Sequence, residues 1–215
     1  MHTLTLGGGP LTVLALGAHS DDVEIGAGGT LLSLAASGRA VRVHWVVFSA
    51  PGDRRHEAEA SATSYLTGLD HVIETHEFPD GRFPAHWAEV KSVFHDLAGR
   101  VDPDLVLTHR RGDRHQDHQV VADLTWNHFR DHLVWQYEIP KYEGDLGQPN
   151  AYVGLTAEIV ERKVALLEEH FASQRDKAWF DRDTFVGLAR LRGIEAGSPT
   201  RFAEGFHVEK ALFEL

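Results

Sequence analysis

The 215-residue chain contains no cysteine and only one methionine. Without thiols there is no disulfide, no thiolate metal site and no cysteine nucleophile, so any metal must be held by His, Asp or Glu. Long apolar runs are missing too. No stretch approaches the ~18 residues of a membrane span, and the N-terminal MHTLTLGGGPL lacks the cationic and apolar regions of a secretory leader. The expectation is a soluble, cytoplasmic protein. Cations are scarce, 21 Lys and Arg against 32 Asp and Glu for a net charge of -11, and no basic cluster exceeds Arg54–Arg55 or Arg110–Arg111. That balance argues against a nucleic-acid partner and for a small-molecule one. Repeats and low-complexity segments are likewise absent, and 42% hydrophobic residues suffice for one domain over residues 1–215.

Strands and helices alternate along the chain. Val13 to Leu16 is an apolar run suited to a parallel strand buried on both faces. Val23 to Ser37 reads as a helix stopped by Gly38, with Gly26, Gly28 and Gly29 marking close approach to another element or a ligand. Ala40 to Phe48, His71 to Phe78, Leu105 to Thr108 and Leu133 to Ile139 read as further strands. Helices are expected at Arg54 to Leu66, His86 to Ala98, Val120 to His128, Thr156 to His170 and Thr184 to Ile194, with Trp87, Val90, Val93, Phe94 and Leu97 facing the core. Pro140 to Pro149 reads as a loop, and the tail from Phe202 to Leu215 as a segment that closes the sheet. The pattern predicts an α/β fold with a mostly parallel sheet flanked by helices.

Two of these strands end in bursts of polar residues. His19, Ser20, Asp21, Asp22 and Glu24 follow the first strand; His109, Asp113, His115, Gln116, Asp117 and His118 follow the one at Leu105. Ligands of open α/β sheets bind outside the carboxyl ends of strands, so the bursts can meet at one edge. On a helix starting near Ser20, His19 and Asp22 share a face while Asp21 points about 100° away. One pair can then grip a cation and leave a carboxylate free. Two donors from the first burst and one from the second make the open three-ligand set of a catalytic zinc, whose bound water is a nucleophile near neutral pH. The bland alternative is an acidic helix cap, which needs one acid but not a histidine with two.

The stretch AHSDDVEIGAGG, with HQDH about a hundred residues later, resembles the zinc-dependent N-deacetylases of the PIG-L or LmbE-like family, from about Leu11 to Thr125. The resemblance implies a Rossmann-like fold, 133–215 being its variable C-terminal part. It also implies removal of an N-acetyl group from an N-acetylglucosamine-type sugar or glycoconjugate. By position, His19, Asp22 and His118 match the metal ligands, and Asp21 the general base. His115 matches the group that meets the oxyanion and protonates the leaving amine, and Asp117 the acid that orients a histidine. Arg54 and Asp80 resemble the family's sugar-gripping pair. The metal would be zinc, or iron(II) or another divalent ion in its place. Ser20, where the family more often has proline, is suited to cap the helix.

Other readings are weighed beside this one. The chemistry does not dictate a sugar, so the runner-up is a metal-dependent hydrolase of another amide or imide. A nucleotide-binding module built on Gly26-Ala27-Gly28-Gly29 fits poorly, because the glycines come late and the acids before them repel a pyrophosphate. Arg54 could be a solvated helix-start cation and Asp80 a turn residue. Glu24 reads as structural or as a support for the site, and His56, His95 and His109 as surface or packing histidines. Tyr137, Glu138, Tyr142, Glu143, Asp145 and Asn150 have a composition suited to a saccharide wall, in a segment that is otherwise a packed loop or a homo-oligomer contact.

Overall fold

The computed structural model describes residues 3–212. Seven strands form one sheet: β1 (Leu11–His19), β2 (Val41–Ser49), β3 (Asp70–Thr75), β4 (Leu105–His109), β5 (Val134–Tyr137), β6 (Ala151–Leu155) and β7 (Phe202–His207). Their order is β3-β2-β1-β4-β5-β7-β6. The first five strands run parallel, and β7 pairs antiparallel with both β5 and β6. The helices are α1 (Asp22–Ala36), α2 (Asp53–Tyr65), α3 (Trp87–Arg100), α4 (Gln116–His128), α5 (Ala157–His170) and α6 (Arg182–Glu195), with a 3-10 turn at Phe83–His86.

The alternation of side chains along a strand divides the core between the two faces of the sheet. Val13 and Ala15 of β1 join Val43, Trp45 and Val47 of β2 in one cluster with residues of α1, α2 and α5. Leu14, Leu16 and Ala18 join Val46 and Phe48 in a second, against Val90, Phe94 and Leu97 of α3 and Val121 and Leu124 of α4. Both faces of the parallel region are therefore covered, which is why β1 reads as a continuous apolar run.

Three sequence expectations change. Trp87 does not face the core: it is 41% exposed, with Lys91 Nζ 4.6 Å from the ring centroid. It is the first residue of α3, at the same helical spacing as Val90, Phe94 and Leu97 but beyond the buried part of that stripe. The segment Ala151–Leu155, assigned no element from the sequence, is the edge strand β6, a short run interrupted by Gly154. The expected closing tail is β7, but it lies inside the sheet between β5 and β6; residues 213–215 of that tail lie outside the described residues.

The glycines of α1 serve packing. A Cβ on Gly26 would collide with the Tyr137 ring, one on Gly28 with Tyr65, and one on Gly29 with Leu155 and the Glu204 carboxylate. Helix and neighbours thus approach more closely than any side chain would allow. Glu204 uses the gap: it accepts from the Gly29 and Thr30 amides at 2.7 Å each and from Thr30 Oγ1 at 2.6 Å. Lys163 Nζ completes the buried group, donating to Glu204 at 2.7 Å and to the Ile25 carbonyl at 2.6 Å.

Candidate metal centre

The site forms where β1 and β4 end. His19 is the last residue of β1, Asp22 the first of α1, and His109 the last of β4; His115 precedes α4, which carries Asp117 and His118. His19 and Asp22 are therefore not on one helical face as expected. They meet because the chain turns tightly at residues 20 and 21, a turn closed by the His19 amide donating to Asp22 Oδ2 at 2.6 Å. Neither Ser20 nor Asp21 caps α1: Asp21 occupies the cap position without a side-chain hydrogen bond, and Ser20 Oγ donates to the Ser49 carbonyl at 3.4 Å. The bland reading of the acids as a helix cap fails on that geometry.

His19 Nδ1 lies 3.2 Å from His118 Nε2 and 3.4 Å from Asp22 Oδ2, and His118 Nε2 lies 3.5 Å from Asp22 Oδ1. Two atoms bound at 2.0–2.1 Å to one tetrahedral ion sit about 3.3 Å apart. The spacing fits such an ion, and so does the chemistry of the donors. His118 Nδ1 contacts Asp113 Oδ2 at 2.9 Å, and His19 Nε2 contacts Asp117 Oδ2 at 3.2 Å and Asp80 Oδ1 at 3.1 Å. Each imidazole thus spends one nitrogen on carboxylates and turns the other toward Asp22, the usual arrangement of metal-binding histidines. Three sets of donors are close enough to hold a metal: His19, His115 and His118; Asp22, His109 and His118; and His19, Asp80 and Asp117.

Electrostatics separates the two neighbouring carboxylates. Both are buried, which favours their neutral forms, yet His118, His109 and His19 hold Asp22 well below the usual carboxylate range. Asp21 is pushed up by burial and by the Asp22 charge, with the Arg54 guanidinium 3.6 Å away opposing the rise. Burial and the His109 imidazole push His118 down to about 4, so it offers a neutral lone pair. His19 moves the other way: burial disfavours its charge, but Asp22, Asp117 and Asp80 raise it well above the ordinary value. Its hydrogen bond with His19 lowers Asp80 to about 2.

The remaining expected residues border this centre. His115 is half-buried; its Nδ1 accepts from the Asp117 amide at 3.3 Å, which places the proton of the neutral ring on Nε2. Burial and His19 lower its pKa. Asp117 accepts from the Gly81 amide at 2.6 Å and the Phe83 amide at 3.0 Å, so the histidine its carboxylate touches is His19. Arg54 reaches Asp80 at 3.4 Å as well as Asp21, so neither is a detached cap or turn residue. Of the expected saccharide wall, Tyr137 and Glu138 are turned inward, and Asn150 is exposed but engaged by backbone. Tyr137 donates to the Leu16 carbonyl at 2.5 Å, Glu138 pairs with Arg192 at 2.7 and 2.8 Å, and Asn150 pairs with both backbone groups of Val208. Tyr142 is exposed, and Asp145 binds Lys141 at 2.8 Å.

Sequence reasoning missed three groups. His109, read as a surface or packing residue, is fully buried, 3.2 Å from Asp22 Oδ2 and stacked on His118 with ring centroids 3.9 Å apart. Its place at the end of β4, matching His19 at the end of β1, was an available signal. Asp113 orients His118, and Lys141 Nζ lies 2.8 Å from the same Asp113 oxygen. The sequence separation of 28 residues hid that contact. His56 and His95 are exposed, in keeping with their reading as surface histidines. Glu24 is buried with no hydrogen-bond partner for either oxygen among the described residues, and burial raises it well above the usual range.

Residues 14–129 match the family model PIG-L, described as GlcNAc-PI de-N-acetylase. An uncharacterized deacetylase of Escherichia coli K12, YaiS, is 28% identical over 168 residues, covering 74% of this chain and 89% of the relative. Among solved structures, the N,N'-diacetylchitobiose deacetylase of Pyrococcus horikoshii superposes with a TM-score of 0.66 at 20% identity, over 92% of this chain and 83% of that one. GalB, a 4-carboxy-2-hydroxymuconate hydratase of Pseudomonas putida KT2440, has a TM-score of 0.71 at 19% identity, over 95% and 98% of the two chains. Those two likenesses show the shared fold, and a fold alone does not choose between a hydrolase and a hydratase. The family match spans more than half of the sequence and includes both polar strand ends, and on that basis the chain belongs to the PIG-L family of deacetylases.

Proposed function

We propose that the protein is a metal-dependent deacetylase that removes the N-acetyl group of an N-acetylglucosamine-type sugar or glycoconjugate. The observation that supports this best is the separation of roles between adjacent carboxylates: Asp22 lies among the imidazoles, while Asp21 is buried beside them, raised in pKa and outside the three donor sets. His19, Asp22 and His118 would hold the ion, zinc or another divalent metal, which when bound supplies a Lewis acid for the carbonyl and makes water acidic enough to attack.

Asp21 takes the proton from the attacking water, its raised pKa bringing it nearer the operating pH than an ordinary aspartate. His115, neutral and with Nε2 carrying its proton, donates a hydrogen bond to the oxygen that gains negative charge, and the proton that Asp21 took from the water passes to the departing amine. Asp117 fixes the ring of His19. Arg54 and Asp80, at the mouth of the site, bind sugar hydroxyls through charge-assisted hydrogen bonds.

Acetate release across N-acetylated sugars, sugar nucleotides and glycoconjugates, with simple acetamides as controls, tests the reading. Turnover of at least one sugar substrate, abolished in His118→Ala together with metal content, is expected. Hydrolysis confined to the simple acetamides would remove the sugar, and metal-free protein with full activity would remove the mechanism.

A further inference from the structure

A second concave site lies at the same end of the sheet, between the loop after β4, the loop before β6 and the end of β7. It is a groove of about 540 Å³, in the range of small-molecule sites. The loop that gives Arg110, Arg111 and Gly112 to this groove gives Asp113 to His118 of the metal centre.

The groove is cationic in an acidic protein, and its donors are incompletely used. Arg111 is already paired, with Glu209 at 3.5 Å and Asp123 at 3.6 Å, and Glu209 also accepts from Gln136 Nε2 at 3.0 Å, which leaves Arg110 as the unpaired cation of the lining among the described residues. Arg110 has no carboxylate within ion-pairing distance among the described residues; its guanidinium makes one hydrogen bond, from Nη2 to the Gly112 carbonyl at 3.3 Å. Gly112 and Gly147 leave room for that guanidinium, since a Cβ on either would overlap it. Across the groove, His207 Nε2 is buried without a hydrogen-bond partner among the described residues. Its nearest carboxylate, Glu138 at 3.9 Å, is engaged by Arg192 through both oxygens.

An arginine held half-buried without an acid and a ring nitrogen without a partner form an incomplete anion site, because buried polar groups are otherwise satisfied. We propose that this groove is a subsite for an oxyanion, a phosphate or carboxylate carried by the N-acylated substrate, with Arg110 as its principal donor and His207 as the second. The substrate-borne placement rests on the hydrolytic reading above. The subsite selects substrates whose anionic group lies beyond the sugar ring that presents the amide.

The experiment compares wild type with Arg110→Gln and Arg110→Lys on N-acetylglucosamine and N-acetylglucosamine 1-phosphate. Arg110→Gln should raise KM for the phosphorylated sugar about 10–100-fold, the loss expected for one charge-assisted contact, and leave kcat and the neutral sugar unchanged. Arg110→Lys should fall between, since lysine keeps the charge and loses the fork. Equal effects on both sugars, or on neither, would overturn the subsite. Calorimetric titration of the metal-loaded protein with inorganic phosphate keeps the two ideas separable. If neither sugar is turned over, the titration alone decides the anion site. Phosphate binding that disappears in Arg110→Gln then supports the anion site, and heats that are identical or absent in both proteins refute it.

Discussion

Asp113 Oδ2 lies 2.9 Å from Nδ1 of His118 and 2.8 Å from Nζ of Lys141, so a single oxygen orients the His118 imidazole and anchors a lysine of a later loop. Removing the charge while keeping the shape isolates that role. Asp113→Asn should weaken metal binding about 10–100-fold, measured by competition with a chromophoric chelator. Unchanged affinity would mean that His118 is held by its packing on His109 alone.

Asp21 and Asp22 are neighbours with opposite predicted fates. Asp21→Asn should retain the metal and lose about 10²–10⁴-fold in kcat, the contribution of a positioned proton acceptor. Asp22→Asn should lose metal instead. Metal analysis of both purified variants, set against acetate release at saturating substrate, separates the two roles.

Arg54 opposes the rise of the Asp21 pKa across 3.6 Å. Its removal therefore raises that pKa further and extends the protonated, inactive form to higher pH. In Arg54→Gln the acidic limb of the kcat/KM profile should move upward, beside any increase in KM from the lost sugar contact. A limb that stays in place or moves down would uncouple Arg54 from the base.

Gly26 packs directly on the Tyr137 ring, and the Tyr137 hydroxyl binds the Leu16 carbonyl and lies 3.3 Å from His109 Nε2. Gly26→Ala should destabilise the fold by about 1–3 kcal/mol, the usual cost of overpacking a core, despite alanine's better helix propensity. A thermal melt reads the loss. An unchanged or raised melting temperature would show that α1 has room to shift.

The parallel half of the sheet was legible because β1, β2 and β4 are buried on both faces and carry uninterrupted apolar runs. The expected centre was legible because its donors sit at strand ends, where topology brings distant segments together. What escaped depended on side-chain reach across the fold. Lys141 resembles any loop lysine until its ammonium is found between Asp113 and Asp145. The inward-facing Glu138 read as part of a saccharide wall because its partner, Arg192, lies 54 residues away on α6. β6 went unassigned, and β7 read only as a closing tail, because short antiparallel strands with a glycine each lack the long apolar signature.

The Glu204 clamp on α1 has a temporal side. The segments that carry the candidate donors precede β7 in the chain, yet β7 must enter between β5 and β6 before its carboxylate can bind the Gly29 and Thr30 amides. The helix that starts with Asp22 is therefore secured only once β7 is in place. A nascent chain that has reached only to Phe202 carries every candidate donor but not the strand that holds their helix in place, so order at the candidate centre waits on a strand that contributes no donor to it.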